Sequence, residues 1–405
     1  MEFYVRKNEL EIALKSIKDS KALGKPEDES LSILKIKAKD GALEFTTTNY
    51  VNWAYSKINS DTFSDFDSTE NFFGISQEGE VYVDVHEFIN IMFTYPNERI
   101  VKFTTETVEK GDRSDSFLRV LCERGKKERV KKNGFLLKSP DNFEDKPADE
   151  DVKHISIAAN KIYDAVNSVE FASGSNENEQ HLWGVQIEVR DGEISACATD
   201  RERICYYDEI GATHSDSVQF TPKKSALIAA LKNLSLTSKV DFYVGEKRTR
   251  ICQGNQEHII SNVVFSSDSM PDWRSLAASI SNEDRFTVKI SKDTIMDCIK
   301  TATLSSGGKF GIKITFNTED KKITFSIAKV EAGGVIRTDY EESDVMEDFE
   351  GSFNDSIMLT IDSLKDIVSR SSSDVITFRV SDPGKPVEVL NNKDSFRYIT
   401  SVVEQ

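Results

Sequence analysis

The chain has 405 residues, more than one ordinary hydrophobic core accommodates, so two or three domains are expected. Apolar residues make up 38% and include 24 Phe, which is enough for packed cores and excludes disorder throughout. A formal charge of −17 excludes a surface that is basic all over, but leaves open a polarised arrangement of the 52 Lys and Arg.

The opening stretch MEFYVRKNEL lacks the charged-then-apolar form of a secretory signal, and no apolar run approaches a membrane span. In the same stretch Phe3 and Val5 alternate, and a helical face then begins at Leu10 and continues through Ala13, Leu14 and Ile17. This switch from period two to period 3.6 recurs twice. Ile155 and Ile157 precede Ile162, Ala165, Val166 and Val169, while Val288 and Ile290 precede Ile295, Cys298, Ile299 and Ala302.

An alternating hairpin follows each switch: LKIKAKDGALEFTTTN, VQIEVRDGEISACATD and IKITFNTEDKKITFSIAK. Asp40-Gly41 and Asp191-Gly192 predict type I′ turns, whose two central residues both need positive φ; the third copy uses a longer loop, Thr318 to Lys321. A second strand–helix–strand closes each copy, at 81–103, 217–244 and 356–380. The expected fold is α+β, with three repeated domains at 1–150, 151–280 and 281–405. Each is a doubled strand–helix–strands unit with its helices on one face of the sheets. Acidic, loop-like stretches near 142–153 and 277–285 separate them.

Known catalytic patterns are missing: the chain has no GxxxxGK[ST], HExxH, GxSxG or Rossmann glycine run. The histidines (His86, His154, His181, His214 and His258) have no ligand spacing. Cys122, Cys197, Cys205, Cys252 and Cys298 include no CxxC pair, which predicts free thiols in a reducing cytoplasm. Two features remain. CATDRERICYY (197–207) places a charged corner between two apolar strand ends, either as an ordinary turn or as part of a recognition surface. The helices also repeat a basic bias: Lys7, Lys15, Lys18, Lys21 and Lys25; Lys223, Lys224 and Lys232; Lys292, Lys300, Lys365 and Arg370. Solvent-facing lysines and one continuous basic wall both fit that bias.

Several stretches together resemble the bacterial-type sliding clamps, the beta subunits of DNA polymerase III. MEFYVRKNEL matches the family's opening strand and helix start, and LGKP its Gly-Arg-Pro stretch. WGVQIEVRDGEISACATDRERI matches the hairpin that runs into Ala-Thr-Asp-Gly-His-Arg-Leu, and MPDWRSL resembles Phe-Pro-Asp-Tyr-Arg-Arg-Val. TLSSGGKFG resembles the loop where the third-domain helix and strand meet. The resemblance spans the whole chain and includes the threefold repeat.

What it implies is a ring with helices inside and sheets outside, closed as a head-to-tail homodimer around double-stranded DNA without reading its sequence. Such a clamp is a cytoplasmic, non-enzymatic processivity factor with no catalytic residue, metal, cofactor or membrane contact. It tethers the replicative DNA polymerase and other proteins bearing clamp-binding motifs, and an ATP-dependent loader opens it. The matching DNA-contact positions are Lys25, Lys223 and Lys224, to which helix equivalence adds Lys15, Lys300 and Lys365. The matching peptide-pocket positions are Thr199, Arg203, Ile204, Pro271, Leu276, Ile399 and Val403, and the matching interface positions are Phe135 and Leu304. Arg201 and Glu202 depart from the family's Gly-His, and the ending YITSVVEQ departs from its methionine- and proline-containing one. The residues also allow a clamp-fold interaction scaffold that does not encircle DNA, or an undetected metal-dependent hydrolase.

Overall fold

The computed structural model describes residues 1–18, 32–59, 74–96, 99–110, 113–124, 129–147, 152–174, 179, 182–211, 216–263, 272–275, 278, 285–306, 311–330, 336–346, 348–371, 373–383, 385–390 and 396–400. Each third of the chain repeats one element order, with four strands between its two helices in the second third and five in the others. The first runs β1 (Glu2–Arg6), α1 (Lys7–Lys18), β2 (Ile33–Lys39), β3 (Ala42–Thr48), β4 (Trp53–Asn59) and β5 (Gly74–Gln77). It continues with β6 (Gly79–Asp84), α2 (Val85–Phe93), β7 (Ile100–Lys110), β8 (Arg113–Arg124) and β9 (Arg129–Leu136).

The second third runs β10 (Lys153–Ala158), α3 (Ala159–Val169), β11 (Gln186–Arg190), β12 (Glu193–Thr199) and β13 (Arg203–Asp208). Then come β14 (Val218–Phe220), α4 (Lys224–Leu231), β15 (Lys239–Val244), β16 (Arg248–Gln253) and β17 (Gln256–Ser261). The last third holds β18 (Phe286–Ser291), α5 (Lys292–Ser306), β19 (Gly311–Asn317), β20 (Lys322–Val330), β21 (Ile336–Val345) and β22 (Phe349–Glu350). It ends with β23 (Ser356–Thr360), α6 (Ile361–Arg370), β24 (Val375–Val380), β25 (Val387–Leu390) and β26 (Phe396–Thr400).

Local chemistry accounts for these boundaries. Asp40, Gly41, Asp191 and Gly192 all have positive φ (52°, 72°, 49° and 82°), as the Asp-Gly hairpin turns require. Asp84 caps α2 by accepting from the backbone N–H groups of His86 and Glu87, both at 2.9 Å. Thr360 caps α6 through the N–H of Ser363 at 3.0 Å.

Packing divides the chain differently from the repeat. One compact unit comprises Met1–Asn160 and Pro222–Asn262, and the other Lys161–Thr221 and Val263–Gln405. In the first unit, an antiparallel five-stranded sheet (β5-β1-β7-β8-β9) accompanies an eight-stranded one (β10-β15-β16-β17-β4-β3-β2-β6). In the second, a nine-stranded sheet (β14-β11-β12-β13-β26-β25-β24-β18-β22) accompanies a four-stranded one (β21-β20-β19-β23). The larger sheets continue across the repeat boundaries expected near 150 and 280. β17 pairs with β4 through Gln256↔Ser56 and His258↔Ala54, and β13 pairs with β26 through Ile204↔Ile399 and Tyr206↔Arg397. The middle third is therefore shared: α4, β10 and β15–β17 fall in the first unit, and β11–β14 in the second.

The core of the first unit is aromatic at its centre. Phe3 stacks on Phe103 at 4.5 Å, and Phe88 meets Phe103 at 6.0 Å and Phe135 at 5.1 Å. The described part of the acidic connector after β9 is pinned to the eight-stranded sheet. Trp53 Nε1 donates to the Glu144 carbonyl at 3.2 Å, Lys35 pairs with Asp145 at 2.7 Å, and Lys146 pairs with Glu257 at 2.6 Å. Glu257 lies opposite Tyr55 in the register, and Lys146 sits 5.7 Å from the Tyr55 ring. These ties cover the sheet face turned away from Ala54 and Ser56, because successive strand residues point to opposite faces.

Candidate functional site

The charged corner after β12 is held by its own side chains. Thr199 Oγ1 donates to the Arg203 carbonyl at 2.7 Å and accepts from the Arg201 N–H at 3.1 Å. Asp200 Oδ1 accepts from the N–H groups of Glu202 (3.1 Å) and Arg203 (3.0 Å), a side-chain-mediated turn that satisfies both donors. Arg201 adopts φ +78°, a left-handed conformation that glycine enters without the Cβ penalty. This is the position at which the resembled family has Gly. Arg201→Gly is therefore expected to raise stability by about 0.5–1 kcal/mol, net of the glycine's greater unfolded-state freedom. The Arg201–Glu179 pair that it removes (2.9 Å) is exposed on the arginine side and contributes little. Thermal unfolding measures the difference; a lower midpoint would mean that the pair outweighs the strain.

Adjacent residues of β13 diverge. Arg203 turns toward the helices. Its Nε meets Asp200 Oδ2 at 2.8 Å, its Nη1 bonds Asp366 of α6, and its guanidinium lies 5.7 Å from the Phe171 ring. Arg370, on the same helix as Asp366, lies 5.3 Å from that ring and pairs with Glu170 at 2.8 Å. Burial raises the Asp366 carboxyl above its usual range despite the opposing pull of Arg203. Ile204 turns to the other face and joins Cys197, Tyr206, Trp273 and Ile399 in a small apolar cluster. Of the expected pocket residues, Ile204 and Ile399 pack together, and Thr199 is opposite Ile204 in the register, but Arg203 is committed to the opposite face. Pro271, Leu276 and Val403 lie outside the described residues.

Trp273 and Tyr206 were absent from the expected site. Trp273 packs on Tyr206 at 4.7 Å and is held there by Arg274, whose guanidinium lies 4.2 Å from the indole. Arg274 in turn pairs with Glu188 (2.5 Å) and Asp208 (3.3 Å) and donates to the Gly211 carbonyl at 3.0 Å. Burial pushes the Tyr206 hydroxyl up to about 12 and raises the Cys197 thiol as well, so neither ionises near neutrality. The available signal was a lone tryptophan in the polar stretch MPDWRSL; a large aromatic there needs something to cover.

The expected DNA-contact lysines fall into two groups. In the first unit, α1 packs on β3 and β4 and α4 packs on β17, the strand beside β4. Residues of α1 and of the loop after α4 also border one cleft, so Lys15 and Lys224 belong to helices on one side of that sheet. In the second unit, α5 and α6 pack together and carry Lys300 and Lys365. Lys25 lies outside the described residues. Three of these lysines face a carboxylate on their own helix: Lys15–Glu11 (3.3 Å), Lys300–Asp297 (2.9 Å) and Lys365–Asp362 (3.9 Å). Such exposed pairs are weak and exchange readily with other anions.

The two expected interface residues differ sharply. Leu304, in the last turn of α5, is 88% exposed. Phe135 is fully buried against Phe88 in the core of its own unit. The expectation that Phe135 meets a second chain is corrected: strand alternation turns Phe135 inward and Leu136, 50% exposed, outward. Among the described residues no three His, Cys, Asp or Glu side chains are grouped to hold a metal ion, and no helix is long and apolar enough to cross a membrane.

No family model matches the chain, and no curated protein matches it by sequence. Solved structures do match. The DNA polymerase III subunit beta of Pseudomonas aeruginosa superposes with a TM-score of 0.79 at 16% identity, covering 100% of both chains. The DNA polymerase sliding clamp of Bacillus subtilis gives 0.79 at 17% identity, with 100% of this chain and 99% of that one covered. The DNA polymerase III beta subunit of Thermotoga maritima gives 0.75 at 16%, with the same coverages. From end to end, this α+β chain with its threefold element order has the fold of the DNA polymerase III beta sliding clamps.

Proposed function

We propose that the protein is a sliding clamp that closes with a second copy into a ring around duplex DNA and tethers a replicative polymerase. Besides the end-to-end clamp fold, the observation that carries this reading is a pair of complementary sheet edges. β9 ends the five-stranded sheet of the first unit, and its sequence RVKKNGFL is basic, with Arg129, Lys131 and Lys132. β21 ends the four-stranded sheet of the second unit, and its sequence IRTDYEESDV is acidic, with Asp339, Glu341, Glu342 and Asp344. An edge strand offers unpaired backbone groups. Opposite charges select the edge of another copy over its own kind, which favours head-to-tail closure. Exposed Leu136 on β9 and Leu304 on α5 supply apolar surface for the contact.

A closed ring needs no tight DNA contacts. Topology retains the duplex, and lysines already paired on their own helices exchange with phosphates without reading bases. The net charge of −17 discourages stray binding outside the hole. Motif-bearing polymerases and an ATP-dependent loader are the partners of such a ring. The same local neutralisation of Lys15, Lys300 and Lys365 also suits a scaffold that never encircles DNA.

Retention on closed circular against linear duplex, after loading and high-salt washing, separates the two readings. The clamp stays on the circle and slides off linear ends. Leu304→Lys should give a folded monomer by sedimentation and lose circle retention, because an unpaired charge is costly at an apolar contact. Equal retention on both substrates, or an intact dimer in the variant with no circle retention in the parent, overturns the ring.

A further inference from the structure

On the face of the nine-stranded sheet that carries Ile204, two cross-strand rows lie side by side. One reads Thr199, Ile204, Ile399, Glu388, Arg379 and Thr287, and the next reads Cys197, Tyr206, Arg397, Leu390, Thr377 and Lys289. The apolar cluster around Trp273 thus passes directly into a charged ladder. Glu388 is fully buried at its centre, with Arg397 at 3.2 Å, Arg379 at 3.4 Å and Arg285 at 3.5 Å. The Arg379 and Arg397 side chains remain 35% and 34% exposed. Arg379 reaches Glu388 through one Nη, and Arg397 reaches it through one Nη while also bonding the Tyr206 hydroxyl; the guanidinium nitrogens not engaged by Glu388 or Tyr206 remain as donors.

This local surplus of cations is unexpected in a chain of charge −17. Forks anchored by a buried acid are pre-oriented, so a ligand's carboxylate meets donors already in place. The neighbouring surface restricts the ligand. Glu350 lies two strands beyond Arg379 in the register, and Asp208 lies on the same face as Tyr206. An extended polyanion would run into those acids, whereas one or two carboxylates beside apolar side chains would not. We infer that Arg379 and Arg397 are specificity-determining residues that recognise an acidic side chain of a partner peptide lying along this face. The inference rests on the tethering function proposed above and adds the chemistry of the tethered segment.

The test uses the full-length protein and labelled synthetic peptides with one leucine and one phenylalanine held constant and a third position occupied by Asp, Asn or Lys. By fluorescence anisotropy the Asp peptide should bind about tenfold more tightly than the Asn peptide, and more tightly still than the Lys peptide. Raising salt should narrow the difference, and Arg379→Gln with Arg397→Gln should abolish it. If that variant does not fold, the salt dependence and Arg397→Lys, which keeps charge but loses the fork, carry the test in its place. Equal binding of the Asp and Asn peptides overturns the inference and leaves the clamp reading intact. Failure of every peptide to bind, with circle retention normal, removes this face as the peptide site. Displacement of a bound Asp peptide by short duplex DNA would reassign the arginines to nucleic acid and also overturn the inference.

Discussion

Phe135→Ala is expected to destabilise the first unit by about 3–5 kcal/mol, the cost of deleting a fully buried aromatic ring and leaving a cavity. Phe135 is 0% exposed and packs on Phe88, which also meets Phe103 and through it Phe3. The ring therefore belongs to a continuous aromatic core, and its neighbours cannot all collapse into the gap. Leu136→Ala, one residue along the same strand and half exposed, should cost less than about 1 kcal/mol. Urea unfolding of the two variants, with sedimentation in parallel, separates stability from assembly. A Phe135→Ala chain of near-parental stability that has lost only its self-association would restore the interface role assigned from the resemblance.

Glu388→Gln should cost about 3 kcal/mol in unfolding free energy. Removing the carboxylate of a buried ion cluster leaves guanidiniums desolvated and facing one another. The figure sits at the low end of the range for such changes because Arg379 and Arg397 are one-third exposed and can turn to water, whereas Arg285, at 6% exposure, cannot. High salt should not rescue the variant fully, since ions do not reach the buried side of the cluster. A loss below about 1 kcal/mol would mean that the arginines hold one another apart by other contacts, and that Glu388 does not organise this face.

Residue patterns within a few positions determined much of this protein. The switches from period two to period 3.6 placed β1–α1, β10–α3 and β18–α5, and the Asp-Gly pairs placed two hairpin turns whose positive φ values follow from the residues themselves. These are local effects, decided by which backbone conformations and which faces a short stretch can satisfy. Even the divergence of Arg203 and Ile204 to opposite faces was legible in strand alternation, although the resemblance grouped them in one pocket. Only the tertiary structure decided that β4 pairs with β17 and β13 with β26, which moves the packing boundaries into the middle third. It alone placed Trp273 over Tyr206, buried Glu388 among arginines from three separate segments, and turned Phe135 inward while leaving Leu136 outside. An alternating strand can bury either of its faces, and a charged side chain can be solvated or sequestered. Which outcome prevails depends on elements brought alongside from far along the chain, whose partners no local pattern names.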